Sequence, residues 1–425
     1  MRRLNPPGPE GSNGKRMYAA PRYSWRGLFY TIMKFNLKLI VKAASITFVL
    51  LFLCSCTLKK QDLQNNTVSN TVPDFTPEEK ERLFIEIIIS EMNIVEQVAQ
   101  MFILSAETEW GRCFTDSSDE LKFFINENKA GGYVLFSNNI TTLDGTKSLT
   151  DGIMAYSKIP PFIAIDEEGG VVSRLFSARL TELGELSIIG SDSMPDVYND
   201  GRNIGRALVS IGVNLNFAPV ADVLTIPDNI IISGRSYGSD PYHVSEMVSY
   251  FLSGLRSQGV MSSPKHFPGH GNTTSDSHYG IAVIESDAEH LANIEYKPFI
   301  RAINEKCEFV MVGHIAAPNV DPSGLPATVS SFFVSDTLRH AMGFDGVIIT
   351  DAMNMGAIVD NYSTCEAAVM AILAGVDMIL MPKNYGEALD GVLRAINSGV
   401  ISHDRIHESL ERILRTKIKA GMITY

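Results

Sequence analysis

Eight short apolar runs, helical stretches between them, and polar residues gathered where the runs end together predict an α/β chain folded as a (β/α)8 TIM barrel. The runs are Met101–Leu104, Gly132–Phe136, Phe162–Ile165, Asn214–Ala218, Val260–Ser263, Phe309–Val312, Val347–Thr350 and Met378–Met381. Their starts lie about 30 to 50 residues apart, room for a strand, a helix and two connections. Their residues are rich in Val, Ile and Phe and do not alternate with polar ones, the pattern of strands in a parallel sheet covered on both faces. Ser245–Gln258, Ala288–Asn304 and Thr364–Ala374 read as helices between the runs, and Tyr385–Ser398 and His403–Ala420 as helices after the last. A doubly wound open sheet is the competing fold. Eight units and the lack of a dinucleotide glycine fingerprint argue against it.

The chain of 425 residues would accommodate two or three ordinary domains, or one large barrel with extensions. With 45% hydrophobic and 20% charged residues it is neither disordered throughout nor fibrous. The first 55 residues carry nine Lys/Arg against one Glu, so of the net −12 the remaining chain holds −20. Such a surface repels phosphate backbones, and no nucleic-acid partner is expected. Five scattered cysteines form neither a disulfide framework nor a zinc knuckle.

The amino-terminal region reads as an address. Lys34, Lys38 and Lys42 precede an apolar run over residues 43–55 that is too short for a bilayer, which needs about 20 residues. Leu53-Cys54-Ser55-Cys56 resembles a bacterial lipobox, with Cys56 as the lipidated first residue of the mature protein. Residues 1–55 are then a signal region, and translation is expected to start at Met33, whose Met-Lys-Phe-Asn opens an ordinary signal. Residues 56–76 are polar and read as a tether, and the barrel as residues 77–425. This predicts an exported protein held at a membrane by lipid.

In parallel barrels the chemistry sits on the loops after the strands. Here these carry Asp166-Glu167-Glu168-Gly169-Gly170, Asp222 with the later Arg235, Lys265-His266, His314 and Asp351. Charged groups from five independent strand ends on one rim indicate an enzyme. His266 and His270 have a metal-ligand spacing on a helix, but Pro268 and Gly269 between them oppose a helix, and no metal is expected. Asp276 and His278 point the same way if the backbone is extended, making either a carboxylate–imidazole proton-transfer pair or an idle solvated loop. Asp351 stays open by local sequence: a carboxylate at the rim serves as nucleophile, base or cation ligand, or else it caps a helix N-terminus.

Lys265-His266-Phe267-Pro268-Gly269-His270-Gly271, four further residues and Asp276-Ser277-His278 resemble the signature of glycoside hydrolase family 3, in its branch of bacterial β-N-acetylglucosaminidases. Ile165–Gly170, Asn216–Val223 and Thr350–Ala357 agree in order and spacing, so the resemblance runs from about residue 85 to 420. It implies that Asp351 is the nucleophile, His278 the acid/base and Asp276 its orienting partner. It assigns Asp166, Arg174, Arg235, Lys265 and His266 to the sugar hydroxyls and acetamido group. It implies no cofactor.

The activity expected from the resemblance is a retaining exo-β-N-acetylglucosaminidase on peptidoglycan fragments or related amino-sugar glycans, with no obligate protein partner. The rivals are a β-glucosidase or a phosphorylase on the same scaffold, and a sugar-binding lipoprotein without catalysis. The presence of Asp351 and the Asp-x-His pair argues against the last. Many β-glucosidases of the family take their acid/base from a second domain. The residues after the eighth run suffice for two helices, so the acid/base is expected from the barrel itself. Asn272 and Val171 stand where relatives commonly carry Asp and Arg. His270 and His314 read as structural.

Overall fold

The computed structural model of the chain describes residues 75–108, 111–178, 193–273 and 280–424. Cys56, the signal region and nearly all of the expected tether lie outside the described residues, as do Asp276 and His278. One compact unit begins at Phe75. Its first helix, Pro77–Ser90, opens on a capping box: Thr76 accepts the Glu79 amide while Glu79 accepts the Thr76 amide.

The architecture is α/β with a parallel sheet. The strands are β1 (Phe102–Ser105), β2 (Gly132–Leu135), β3 (Phe162–Ile165), β4 (Leu215–Asn216), β5 (Met261–Ser262), β6 (Ala282–Val283), β7 (Phe309–Val312), β8 (Ile315–Ala316), β9 (Val347–Thr350) and β10 (Ile379–Leu380). Six of them form one sheet in the order β10-β1-β2-β3-β4-β5, every pairing parallel. β7 pairs in parallel with β9. Single parallel bridges, Phe267↔Val312 and Ile349↔Met378, extend the pairing at either end of this couple.

Each of the eight apolar runs overlaps one strand, β1 reaching one residue past its run to Ser105. Run four is cut to two residues, and Pro219 just beyond it has no N–H to continue the ladder. The short pair β6–β8 lies outside the eight runs; two residues per strand are too few to leave a periodic signal. The helix expected over Ala288–Asn304 is interrupted by a π turn at Leu291–Glu295. Pro298 supplies no N–H to the carbonyl of Ile294, which removes one bond of the regular ladder there.

Strands β2, β3, β7 and β9 are buried on both faces, as their uninterrupted apolar composition requires. Burying each of their large side chains contributes about 1.5–3 kcal/mol. Phe162 at the start of β3 and Phe309 at the start of β7 meet edge to face, centroids 5.0 Å apart. The helices Met194–Ser210 and Pro241–Arg256 touch through Gly201 and Gly254. A Cβ on either would come within 2.5 Å of a carbonyl oxygen of the other helix.

Candidate active site

The residues after β3 make the first wall. Gly169, at φ +81°, turns the chain so that the Glu168 amide donates to the Val172 carbonyl, and Ser173 then caps the short helix Arg174–Ser177. Asp166 and Glu168 are two apart and face the same way. Lys265, from the end of β5, stands between them, with Nζ 2.7 Å from Asp166 Oδ1 and 2.7 Å from Glu168 Oε1. Arg235 grips Glu168 in a fork, Nε to Oε2 at 2.9 Å and Nη2 to Oε1 at 2.8 Å. Arg174 lies 3.7 Å from Asp166, its guanidinium over the Phe136 ring.

These contacts set the charges. Burial by itself would push the Glu168 carboxyl up, but Lys265 and Arg235 overcome it and hold the group at about 2. Burial would pull Lys265 down, but Asp166 and Glu168 more than offset it and keep the ammonium above its ordinary value.

The residues after β4 and β5 make the second wall. Buried Asp222 accepts the backbone amides of His266 and His270 and lies 2.8 Å from Nδ1 of His266. His270 meets the Thr273 hydroxyl at 2.7 Å, and burial followed by the neighbouring His266 pushes its imidazole down.

Asp351 directly continues β9, its amide donating to Val312 of β7 at 2.8 Å. Its carboxylate accepts the Ala352 amide at 2.7 Å. Burial alone would raise this carboxyl, but His314, His266, the Ala352 amide and Lys265 bring it below the ordinary value. The N-cap role left open by sequence does not hold. The next helix starts at Gly356 with Met355 at its cap.

Asp166, Arg174, Arg235, Lys265, His266 and Asp351 therefore line one cavity of about 290 Å³, together with Glu168 and His270. That volume lies at the small end of ligand pockets and suits a single ring with its substituents. Among the described residues no group of three or more His, Cys, Asp or Glu is placed to hold a metal ion.

Residues 92–416 match the model of the glycosyl hydrolase family 3 N terminal domain. The chain belongs to glycosyl hydrolase family 3. Beta-hexosaminidase A of Pseudoalteromonas piscicida is 32% identical over 329 residues, covering 71% of this chain and 55% of that protein. Beta-hexosaminidase LpqI of Mycobacterium tuberculosis is 30% identical over 309 residues, covering 71% and 79%. A solved family 3 β-N-acetylglucosaminidase from a Paenibacillus species superposes with a TM-score of 0.73 at 32% identity, covering 79% of this chain and 65% of that one. The chain thus spans about half the length of the first of these relatives and just under two thirds of the solved structure.

Glu168 and Asp222, counted among the charged rim residues by sequence but given no individual role, hold the other side chains of this cavity in place. The signal for Glu168 was its two-residue offset from Asp166. For Asp222 it was a lone acid inside the apolar stretch Ala-Pro-Val-Ala-Asp-Val, which needs a buried partner. Asn272 donates to the Ser286 hydroxyl and sits against His290.

Proposed function

We propose that this family 3 protein is a retaining exo-β-N-acetylglucosaminidase that removes terminal β-linked N-acetylglucosamine from peptidoglycan fragments or related glycans. The observation that carries the reading is a contrast among three carboxylates of one cavity. Asp166 and Glu168 are engaged by ammonium and guanidinium groups, whereas Asp351 accepts a backbone amide and faces the cavity. The first two are suited to hold hydroxyls through a fixed charged lattice. The third is suited to attack an anomeric carbon, forming a bond from Oδ to C1 as the C1–O bond to the aglycone breaks. The leaving oxygen takes a proton from His278, oriented by Asp276, and the same imidazole then deprotonates the water that releases the sugar. The names of the relatives support the acetamido sugar as substrate.

The scaffold of this reading is a closed barrel. The Phe267↔Val312 and Ile349↔Met378 bridges would join the six-stranded sheet to β7 and β9, giving eight parallel strands in a ring. The domain would be carried outside the cytoplasmic membrane by the signal region and anchored through lipid on Cys56, with residues 56–76 as tether. Several acyl chains are needed for stable anchoring. Loss of membrane association in Cys56→Ala checks the anchor, and fatty-acid label still entering that variant would exclude it.

The activity is tested by comparing an aryl β-N-acetylglucosaminide with the aryl β-glucoside, with and without phosphate, and by trapping a fluorosugar adduct. The expected result is a preference of at least about tenfold for the acetamido sugar, the worth of one hydrogen bond. Turnover should not depend on phosphate, and the adduct should lie on Asp351. Release of sugar 1-phosphate would make the protein a phosphorylase. Failure of both substrates would favour a binding lipoprotein.

A further inference from the structure

Behind Asp351 lies a buried histidine to which the proposed reaction gives no part. His314 follows β7 by one residue and is completely buried. Its Nε2 lies 3.0 Å from the carbonyl oxygen of Ala352, the residue after Asp351. A carbonyl only accepts, so Nε2 carries a proton. Its Nδ1 lies 2.8 Å from Thr328 Oγ1. That hydroxyl, also buried, lies 2.8 Å from the Gly313 carbonyl and 3.4 Å from that of Val312.

The Thr328 hydroxyl has one proton to give. If it went to Nδ1, the Gly313 oxygen would face a bare hydroxyl oxygen at 2.8 Å, lone pair against lone pair, inside the core. If it goes to Gly313, that carbonyl is satisfied, and the proton between Nδ1 and Oγ1 then belongs to the ring. We propose that His314 is a buried imidazolium, protonated on both nitrogens, and that its charge serves Asp351 as a positioning residue of the reaction.

A buried cation needs a counter-charge. Among the described residues, the charged and titratable groups around Asp351 are His314 from the end of β7, Lys265 and His266 from the end of β5, and His270 from the same loop. Burial tends to raise the Asp351 carboxyl, and His314 is the foremost of the groups that oppose it. This deepens the proposed function and rests on Asp351 being the nucleophile. An imidazolium beside it keeps the carboxylate ionised at lower pH. It also makes the carboxylate a better leaving group when the glycosyl-enzyme is hydrolysed.

The test has one arm that needs no turnover. In protein with ¹⁵N-labelled histidine, the spectrum at neutral pH should contain one ring with both nitrogens protonated that disappears in His314→Gln. Assignment of His314 as a neutral tautomer would overturn the proposal. In the second arm the pH profile of kcat/KM is compared. His314→Gln removes the charge while keeping a donor, so Asp351 should protonate more readily and the acidic limb should move up by about one pH unit or more. Thr328→Val removes the acceptor at Nδ1 and should move the limb in the same direction, which keeps the test open if His314→Gln fails to fold. Unmoved limbs in both variants would overturn the service to Asp351. A fluorosugar adduct on another residue would instead overturn the nucleophile assignment, with the nitrogen spectrum still deciding the state of His314.

Discussion

Asp222 holds His266 at two points: its Oδ2 lies 2.8 Å from the ring Nδ1, and its Oδ1 accepts the His266 backbone amide at 3.1 Å. The carboxylate is completely buried. It fixes the ring so that Nε2 is presented on the side of Arg235, 3.5 Å away. It also accepts the amide of His270, so one side chain shapes the loop that carries both histidines.

Asp222→Asn should therefore damage substrate binding without touching the substrate. An amide facing Nδ1 favours the opposite tautomer and releases the ring. A hydrogen bond to a charged group is worth about 1.5–3 kcal/mol, so kcat/KM should fall by roughly ten- to a hundredfold. Most of the loss should be in KM if His266 binds the sugar equally in ground and transition states. Steady-state kinetics at saturating and limiting substrate separate the two.

The Glu168 carboxyl gives the fold an acid-sensitive joint. Its folded value of about 2 is below the ordinary 4.5, so its contribution to stability is fully present above about pH 4.5 and is lost as pH falls toward 2. Glu168→Gln should cost about 3–5 kcal/mol near neutrality, because Arg235 and Lys265 lose a buried partner. The variant should also lose that part of the acid dependence. Denaturant midpoints measured from pH 6 down to pH 2.5 check both; an unchanged slope between wild type and variant would remove Glu168 from this role.

The strand positions were legible because a strand buried on both faces needs a continuous apolar run, and each such run here overlaps one strand. Where each strand stops was not legible, since ladder length depends on neighbours such as Pro219 and on pairings between distant segments. Asp166, Arg174, Arg235, Lys265, His266 and Asp351 were reached through motif resemblance, and the fold brings all six to one cavity. The working partners Glu168 and Asp222 were hidden because their meaning lies in contacts with Arg235 and His266, 67 and 44 residues away in sequence. His314 read as structural, and the charge we propose for it turns on where the Thr328 hydroxyl proton goes, of which local sequence says nothing.

Lys417 offers a second pH test, far from the chemistry in kind. It is fully buried on the helix His403–Lys419, Nζ 2.9 Å from Gln100 Oε1 and over the Phe162 ring. Burial pushes its ammonium down to about 7. The folded chain thus binds fewer protons than the unfolded chain between about pH 7 and the ordinary 10.5, and this residue makes stability rise with pH across that window. Lys417→Met keeps the volume and removes the buried charge. Thermal unfolding should show a higher Tm at pH 6–7 and a flatter rise toward pH 10; a lower Tm at pH 6 would mean that the amine is needed where it stands.

The acid/base assignment is decided by comparing two histidines. His270 lines the cavity, but burial and the adjacent His266 push its imidazole down, which disfavours the protonated form that an acid must start from. An imidazole held by a carboxylate, as Asp276 would hold His278, is biased the other way. His278→Ala should lower glycosylation rates by about 10²–10⁴ for a poor leaving group such as a second sugar. An activated aryl group needs little protonation and should suffer less in that step. Asp276→Asn should give an intermediate loss and lower the basic limb of the pH profile, because the amide no longer supports the imidazolium. Rates across a series of aryl leaving groups provide the measurement. If His278→Ala slows every member equally while His270→Ala shows the leaving-group dependence, the proton comes from His270, and the charge balance of the cavity must supply it despite the burial.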